Sequence, residues 1–308
     1  MSDAGIYQRI RREGGVIDLS NRLFLHFSGS DRVRFLNGQV SNDVRNLSSG
    51  LALHACVMTA KGRMSGDVYI TAMPEFLQID ADGSLADSLP PRFERYIVAD
   101  DVALEDVSGS VGLLHILGGD ASALKYEGIE TALATRYGAQ GVDLTGPLPV
   151  ISAKYPEIAE RLPVISERMS EILRIESGIP RWGYELSEES IPVEAGLQQT
   201  AISYEKGCYI GQEVISRLKS VGHVNRHLCG IVPADGKTPL KRGYRLFDPG
   251  TPNRPVGNVT SGAFSFALER PVALGYVKRG IGTAVLIVRD VNDTNVCEAE
   301  VRDLPFIS

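Results

Sequence analysis

The run Lys206-Gly207-Cys208-Tyr209-Ile210-Gly211-Gln212-Glu213 sets one thiol between a cation, two glycines and an amide–acid pair, and no other stretch gathers so much chemistry. A cysteine acts as nucleophile or metal ligand only as the thiolate, which a nearby lysine or the positive end of a helix favours. Lys206 stands two residues upstream. Gly211 to Leu218 reads as a helix with Val214, Ile215 and Leu218 on its apolar side, so Cys208 lies just before its N-terminus. The two glycines permit close approach of backbone. The competing reading is a small cysteine packed inside a glycine-rich turn.

The elements that must carry this stretch follow from periodicity and turn residues. Leu23 to Phe27 reads as a strand, and Ser30 or Asp31 as the cap of a helix holding Val33, Phe35 and Leu36 that Gly38 ends. Met64 to Ala72 and Phe76 to Ala81 read as a hairpin around Met73-Pro74-Glu75, with further strands at Val98 to Leu104 and Val111 to Leu117. Leu144 to Pro163 reads as irregular and proline-bearing, and Ser166 to Ser177 as a helix that Gly178 and Pro180 terminate. Beyond about residue 225 six short strands, at Cys229 to Val232, Tyr244 to Phe247, Val256 to Thr260, Val272 to Val277, Ala284 to Val288 and Val296 to Val301, alternate with Gly, Pro and Asp turns and suggest a small barrel.

The chain has 308 residues, 43% hydrophobic and 23% charged, which suits one large and one small soluble domain. A net charge of −6 argues against a dedicated nucleic-acid binder. No run approaches the length of a membrane span and Met1 to Gly15 is poor in apolar residues, so a cytoplasmic protein is expected. Cys56, Cys208, Cys229 and Cys297 form no C-x-x-C pair, which argues against a disulfide scaffold or a self-contained zinc or iron–sulfur site. Gly236-Lys237-Thr238 is no P-loop, because Ile231 stands where its first glycine is required. Gly280-Ile281-Gly282 has Val285 at the third dinucleotide-binding position and reads as a turn. The histidines lack metal-ligand spacing, and His223 with His227 reads as loop surface.

On the helix ending at Gly178, Met169, Ile172 and Leu173 form an apolar stripe whose next position is Glu176. A buried carboxylate needs donors, either an arginine such as Arg181 or a ligand with a two-donor edge. Trp182, the one tryptophan, either walls a flat ligand or plugs a core. Arg217 stands four residues after Glu213, so a helical ion pair is the default. With Lys219, His223, Arg226 and His227 it also makes one basic stretch, suited to an anionic chain or to RNA phosphates, or simply solvated.

The octapeptide resembles the signature of the YgfZ family, folate-binding relatives of the glycine-cleavage T-protein (aminomethyltransferase) that support iron–sulfur enzymes. Leu173 to Gly183 resembles the superfamily's R-x-E-A-G segment, Phe35 to Val44 its opening helix and turn, and Arg95 to Val102 a strand entry. In order, these segments span nearly the whole chain. The resemblance implies an α+β fold, a large T-protein-like folate-binding α/β domain over residues 1–225 followed by a small C-terminal β-barrel over 226–308. It implies tetrahydrofolate as cofactor, with Glu176 holding the pterin ring through its amine and ring N–H, Trp182 and Asp67 among the cofactor-binding positions, and Arg217 facing the anionic tail. Cys208, with Lys206, becomes the working thiol at the rim of the folate cleft. Implied partners are iron–sulfur enzymes or their assembly machinery, and tRNA indirectly through cluster-dependent thiolation, with no membrane.

One departure separates the relatives. T-proteins carry a catalytic Asp in a G-x-x-x-D-D strand entry, and Gly62-Arg63-Met64-Ser65-Gly66-Asp67 retains only the second acid, which puts aminomethyl transfer in doubt. T-proteins also lack the octapeptide. Three readings stand: a tetrahydrofolate-binding helper of iron–sulfur enzymes, a folate-dependent aminomethyltransferase, and a non-catalytic RNA or protein adaptor.

Overall fold

A computed structural model describes residues 2–118, 126–220, 222–281 and 285–307. In chain order the elements are α1 (Asp3–Glu13), β1 (Gly15–Asp18), β2 (Leu23–Ser28), α2 (Arg32–Gln39), β3 (Ala52–Met58), β4 (Met64–Ala72), β5 (Leu77–Ala81), α3 (Leu89–Glu94), β6 (Ala103–Asp106), β7 (Val111–Leu117), β8 (Glu130–Thr135), β9 (Gln140–Pro147) and α4 (Leu148–Arg161). They continue with α5 (Glu167–Glu176), α6 (Gln212–Ser220), β10 (Arg226–Pro233), β11 (Arg245–Phe247), β12 (Pro255–Ser265), β13 (Arg270–Lys278), β14 (Val285–Arg289) and β15 (Asn295–Arg302). Two compact units result: Met1–Ser166 with Leu197–Ser220, and Glu167–Gly196 with Val221–Ser308.

The first unit holds two antiparallel sheets, ordered β3-β4-β5-β2-β6 and β1-β7-β9-β8. Ala52 and Tyr69 of the first sheet pack with Ala132 and Ala134 of the second. Helix α4 lays Ile151 and Ile158 on Val16, Leu114, Ile116 and Leu144, a packed apolar face of the kind that supplies most helix stability. The second unit is a closed barrel ordered β10-β13-β12-β11-β14-β15. Ile231, Leu246, Val259, Leu286, Val288 and Ala299 fill its interior, as alternation along each strand requires. Helix α5 lies on β12 and β13, where Ile175 packs against Val272 and Leu274.

All six barrel strands, the β4–β5 hairpin, β7, α5 and α6 stand close to where periodicity set them. Ala284 and Gly282, which enter two of the sequence readings, lie outside the described residues. Four readings differ. Helix α2 runs through Gly38 to Gln39, and the Asp31 carboxylate accepts from Asp101 N instead of capping it. Val98 is 86% exposed in a loop, and the strand begins only at Ala103. The stretch read as irregular is the end of β9 and the whole of α4: proline is tolerated in a first helical turn, and burial of the α4 face offsets Pro156 inside it. A single cut at residue 225 puts α5 with the sheets, whereas its packing on β12 and β13 groups it with the barrel.

Candidate functional site

In the first unit the octapeptide is anchored by its lysine. Lys206 is 4% exposed, and its Nζ donates to the carbonyls of Asn37, Val40 and Asn42 at 2.6, 2.8 and 2.7 Å. An ammonium has three N–H donors, so none remains for the thiol: Lys206 clamps residues 37–42 and is not a hydrogen-bond partner of Cys208. Burial brings its pKa down to about 8, against the opposing pull of the Asp43 carboxylate and with a smaller push from Arg45. Around the clamp, Ser41 Oγ donates to Ala201 O, Ser203 N to Ser41 O, and Ile210 N to Gly38 O. Two segments more than 150 residues apart, each singled out in the sequence, are therefore one local structure.

The glycines in the run differ in kind. Gly211 has φ +87°, and a Cβ there would sit 2.7 Å from Thr59 O in the β3–β4 turn, so only glycine meets both demands. A Cβ on Gly207 would meet nothing within 4 Å. Between buried Lys206 and buried Tyr209, Gly207 and Cys208 face solvent. Cys208 is the one exposed cysteine of four. Burial, aided by the Asp67 charge, pushes the Cys56 thiol well up; burial lifts Cys229 to about 12 and Cys297 to about 11. Cys208 is the most exposed of the four sulfurs.

Asp67, on β4, accepts from the imidazole of His54 on β3, Oδ1 to Nε2 2.7 Å. His54 Nδ1 lies 3.2 Å from Thr200 Oγ1. Sequence reasoning missed both His54 and Thr200. The register of the β3–β4 hairpin, which pairs His54 with Tyr69 and Cys56 with Asp67, puts 54, 56, 67 and 69 on one face and carried the signal for His54. Nothing local marked Thr200. Arg217 is exposed in the last turn of α6 and makes no ion pair with Glu213 among the described residues. Lys219 Nζ stands 3.9 Å over the Tyr204 ring. Of the remaining basic stretch, Arg226 pairs with Glu194 at 2.9 Å in the second unit, while His223 and His227 are exposed.

In the second unit Glu176 is fully enclosed. Its Oε1 accepts from Ser265 Oγ at 2.6 Å and from Ala267 N at 3.4 Å, so a hydroxyl and an amide serve it. Arg181 goes to Glu171 and Glu167. Arg174, two residues before the enclosed carboxylate, is itself buried and reaches Glu171, Glu185 and Ser261. Trp182 is half-buried in the turn that follows. A cavity of about 500 Å³ opens along α5 and the barrel, with Glu171, Arg181, Tyr184, Lys241 and Arg242 on its walls. Among the described residues no cluster of His, Cys, Asp or Glu could hold a metal ion, and no helix is long and apolar enough to cross a membrane.

Comparison with known proteins agrees with this architecture. Residues 226–307 match the family described as the glycine cleavage T-protein C-terminal barrel domain. An aminomethyltransferase of Rubrobacter xylanophilus is 27% identical over 294 residues, covering 88% of this chain and 78% of that protein. One from Thermus thermophilus is 28% identical over 296 residues, covering 88% and 81%. A putative chloroplastic transferase of Arabidopsis thaliana is 25% identical over 320 residues, covering 95% and 71%. The crystal structure of the glycine cleavage system aminomethyltransferase T of Bartonella henselae superposes with a TM-score of 0.85 at 19% identity, covering 99% of this chain and 89% of that one. The chain therefore has a T-protein-like fold, with a mixed α/β N-terminal part and a closed six-stranded C-terminal barrel.

Proposed function

We propose that this protein binds tetrahydrofolate and uses Cys208 to assist the assembly or repair of iron–sulfur enzymes, including those that thiolate tRNA, in the manner of the YgfZ family. The observation that carries the reading is Cys208 itself: an exposed thiol beside a buried, three-carbonyl lysine clamp, on a fold otherwise similar to aminomethyltransferases. In this reading Lys206 is a positioning residue, holding the backbone that presents the sulfur.

The residues fit folate unevenly. Trp182, Arg217 and Asp67 are accessible to a ligand, the first as a flat wall, the second as a cation for the carboxylate tail, the third as an acceptor for ring N–H groups. Glu176 is closed to solvent, and it becomes the pterin anchor only if the hairpin carrying Ser265 and Ala267 opens to exchange their donors for those of the ring. A cytoplasmic location belongs to the same proposal. The alternative of an active aminomethyltransferase draws on the relatives just described, and turnover of an aminomethyl donor with tetrahydrofolate would establish it.

The test is made in cells lacking the endogenous protein. Replacement by Cys208→Ser at equal abundance should leave iron–sulfur enzyme activity and tRNA thiolation at the level of the deletion. Full restoration by Cys208→Ser would overturn the role given to the thiol.

A further inference from the structure

We propose that Asp67, His54 and Thr200 form a hydroxyl-activating triad, and that Thr200 Oγ1 accepts acyl groups from activated esters or thioesters. Folate and Cys208 take no part in the step, and the site shares only Asp67 with the folate reading above. An ionised carboxylate can only accept hydrogen bonds, so Asp67 Oδ1 at 2.7 Å holds the imidazole proton on Nε2. The lone pair is left on Nδ1, which faces the Thr200 hydroxyl at 3.2 Å. Acid, imidazole and hydroxyl thus stand in the order that makes a weak alcohol a nucleophile.

The imidazole is preorganised. His54 stacks on Tyr69 with ring centroids 4.7 Å apart and planes 6° from parallel. The Tyr69 ring in turn carries the Arg136 guanidinium, 4.1 Å from its centroid, and its hydroxyl donates to Thr135 O. Arg136 is fixed in the interior by Asp80 and Asp143, each at 2.7 Å. The Thr200 end is also held, because Asn42 Nδ2 donates to both His54 O and Thr200 O. Thr200 faces solvent, while the side chains of His54 and Asp67 are 15% and 19% exposed. The base is sheltered and the acceptor is reachable, the arrangement expected of a built site.

In the step itself Thr200 Oγ1 bonds to the acyl carbon as its proton passes to His54 Nδ1. The bond from that carbon to the leaving oxygen or sulfur breaks with its electron pair, and the departing anion takes the proton from the imidazolium. Water regenerates the hydroxyl by the same route.

The experiment uses p-nitrophenyl acetate on the full chain carrying Cys208→Ser, which silences the exposed thiol, with peptide mass spectrometry locating the acetyl group. The expected result is acetylation of Thr200, reduced at least about tenfold by Asp67→Asn, an isostere that keeps the packing but no longer holds the proton on Nε2. His54→Gln should act likewise and Thr200→Val should remove the adduct. Circular dichroism confirms that each variant is folded, and Asp67→Asn decides alone if His54→Gln is not. No acetyl-Thr200 under conditions that acetylate surface lysines, or labelling unchanged by Asp67→Asn, overturns the proposal.

Discussion

Lys206 in the first unit and Glu176 in the second are both buried charges beside a candidate site, and they leave very different chemistry outside. The lysine spends all three donors on carbonyls of residues 37–42 and lifts the next two residues, Gly207 and Cys208, into solvent. The glutamate is sealed, with Ser265 and Ala267 serving its Oε1 and its own carbonyl accepting from Phe306 N. A buried cation met by main-chain carbonyls can be a scaffold whose neighbour works; a carboxylate closed to solvent must be uncovered before it can bind a ligand. The resemblance to folate proteins gives both residues a role, and the structure makes the two roles unequal in accessibility.

The largest effect that can break this comparison is expected at the clamp. Lys206→Met strips two buried carbonyls and one part-buried carbonyl of their donor and should cost about 3 kcal/mol or more, read from the urea midpoint. An effect under about 1 kcal/mol would mean that the lysine is not structural. Next comes Gly211→Ala, which combines a positive φ with a Cβ 2.7 Å from Thr59 O and should cost about 2–3 kcal/mol. Gly207→Ala, in open space, should stay within about 0.5 kcal/mol. Two glycines four residues apart with equal costs would contradict the seat described for the octapeptide.

A smaller effect sharpens the electrostatics. Burial sets the folded pKa of Lys206 near 8, below its usual value of 10.5. Between those values the unfolded chain binds more protons than the folded one, so the contribution of Lys206 to stability rises with pH across that window. Comparing wild type with Lys206→Met from pH 7.5 to 10 should show the stability difference growing as pH rises; a constant difference would deny the shift. Smallest in free energy is Cys208→Ser, expected within about 0.5 kcal/mol because the side chain is exposed. Iodoacetamide on the native protein should label Cys208 and spare Cys56 and Cys229.

Much of the frame was legible because it rests on local patterns. The barrel strands carry alternation and are cut by Gly, Pro and Asp, and α5 and α6 show their apolar stripes. β3 was hidden: Ala52–Met58 is half-buried or buried at every position, so no alternation marks it. α4 was hidden by its prolines. At the site, the importance of Cys208, Lys206 and Glu176 could be read from residue type and position, but their partners could not. The acceptors of Lys206 lie 164 to 169 residues away and are main-chain atoms, which no side-chain pattern announces. The Glu213–Arg217 pair expected from helical spacing does not form among the described residues; both ends are exposed, where such a pair adds little. His54 needed the hairpin register, and Thr200 needed the fold.

The most direct test is a calorimetric titration with tetrahydrofolate under anaerobic conditions, run in parallel on wild type, Cys208→Ser and Glu176→Gln. The account predicts binding by wild type, equal binding by Cys208→Ser, and loss of binding by Glu176→Gln while that variant stays folded. Absence of binding by the wild type would contradict the folate reading and leave Cys208 to an adaptor without cofactor. Undiminished binding by Glu176→Gln would remove the enclosed carboxylate from the site.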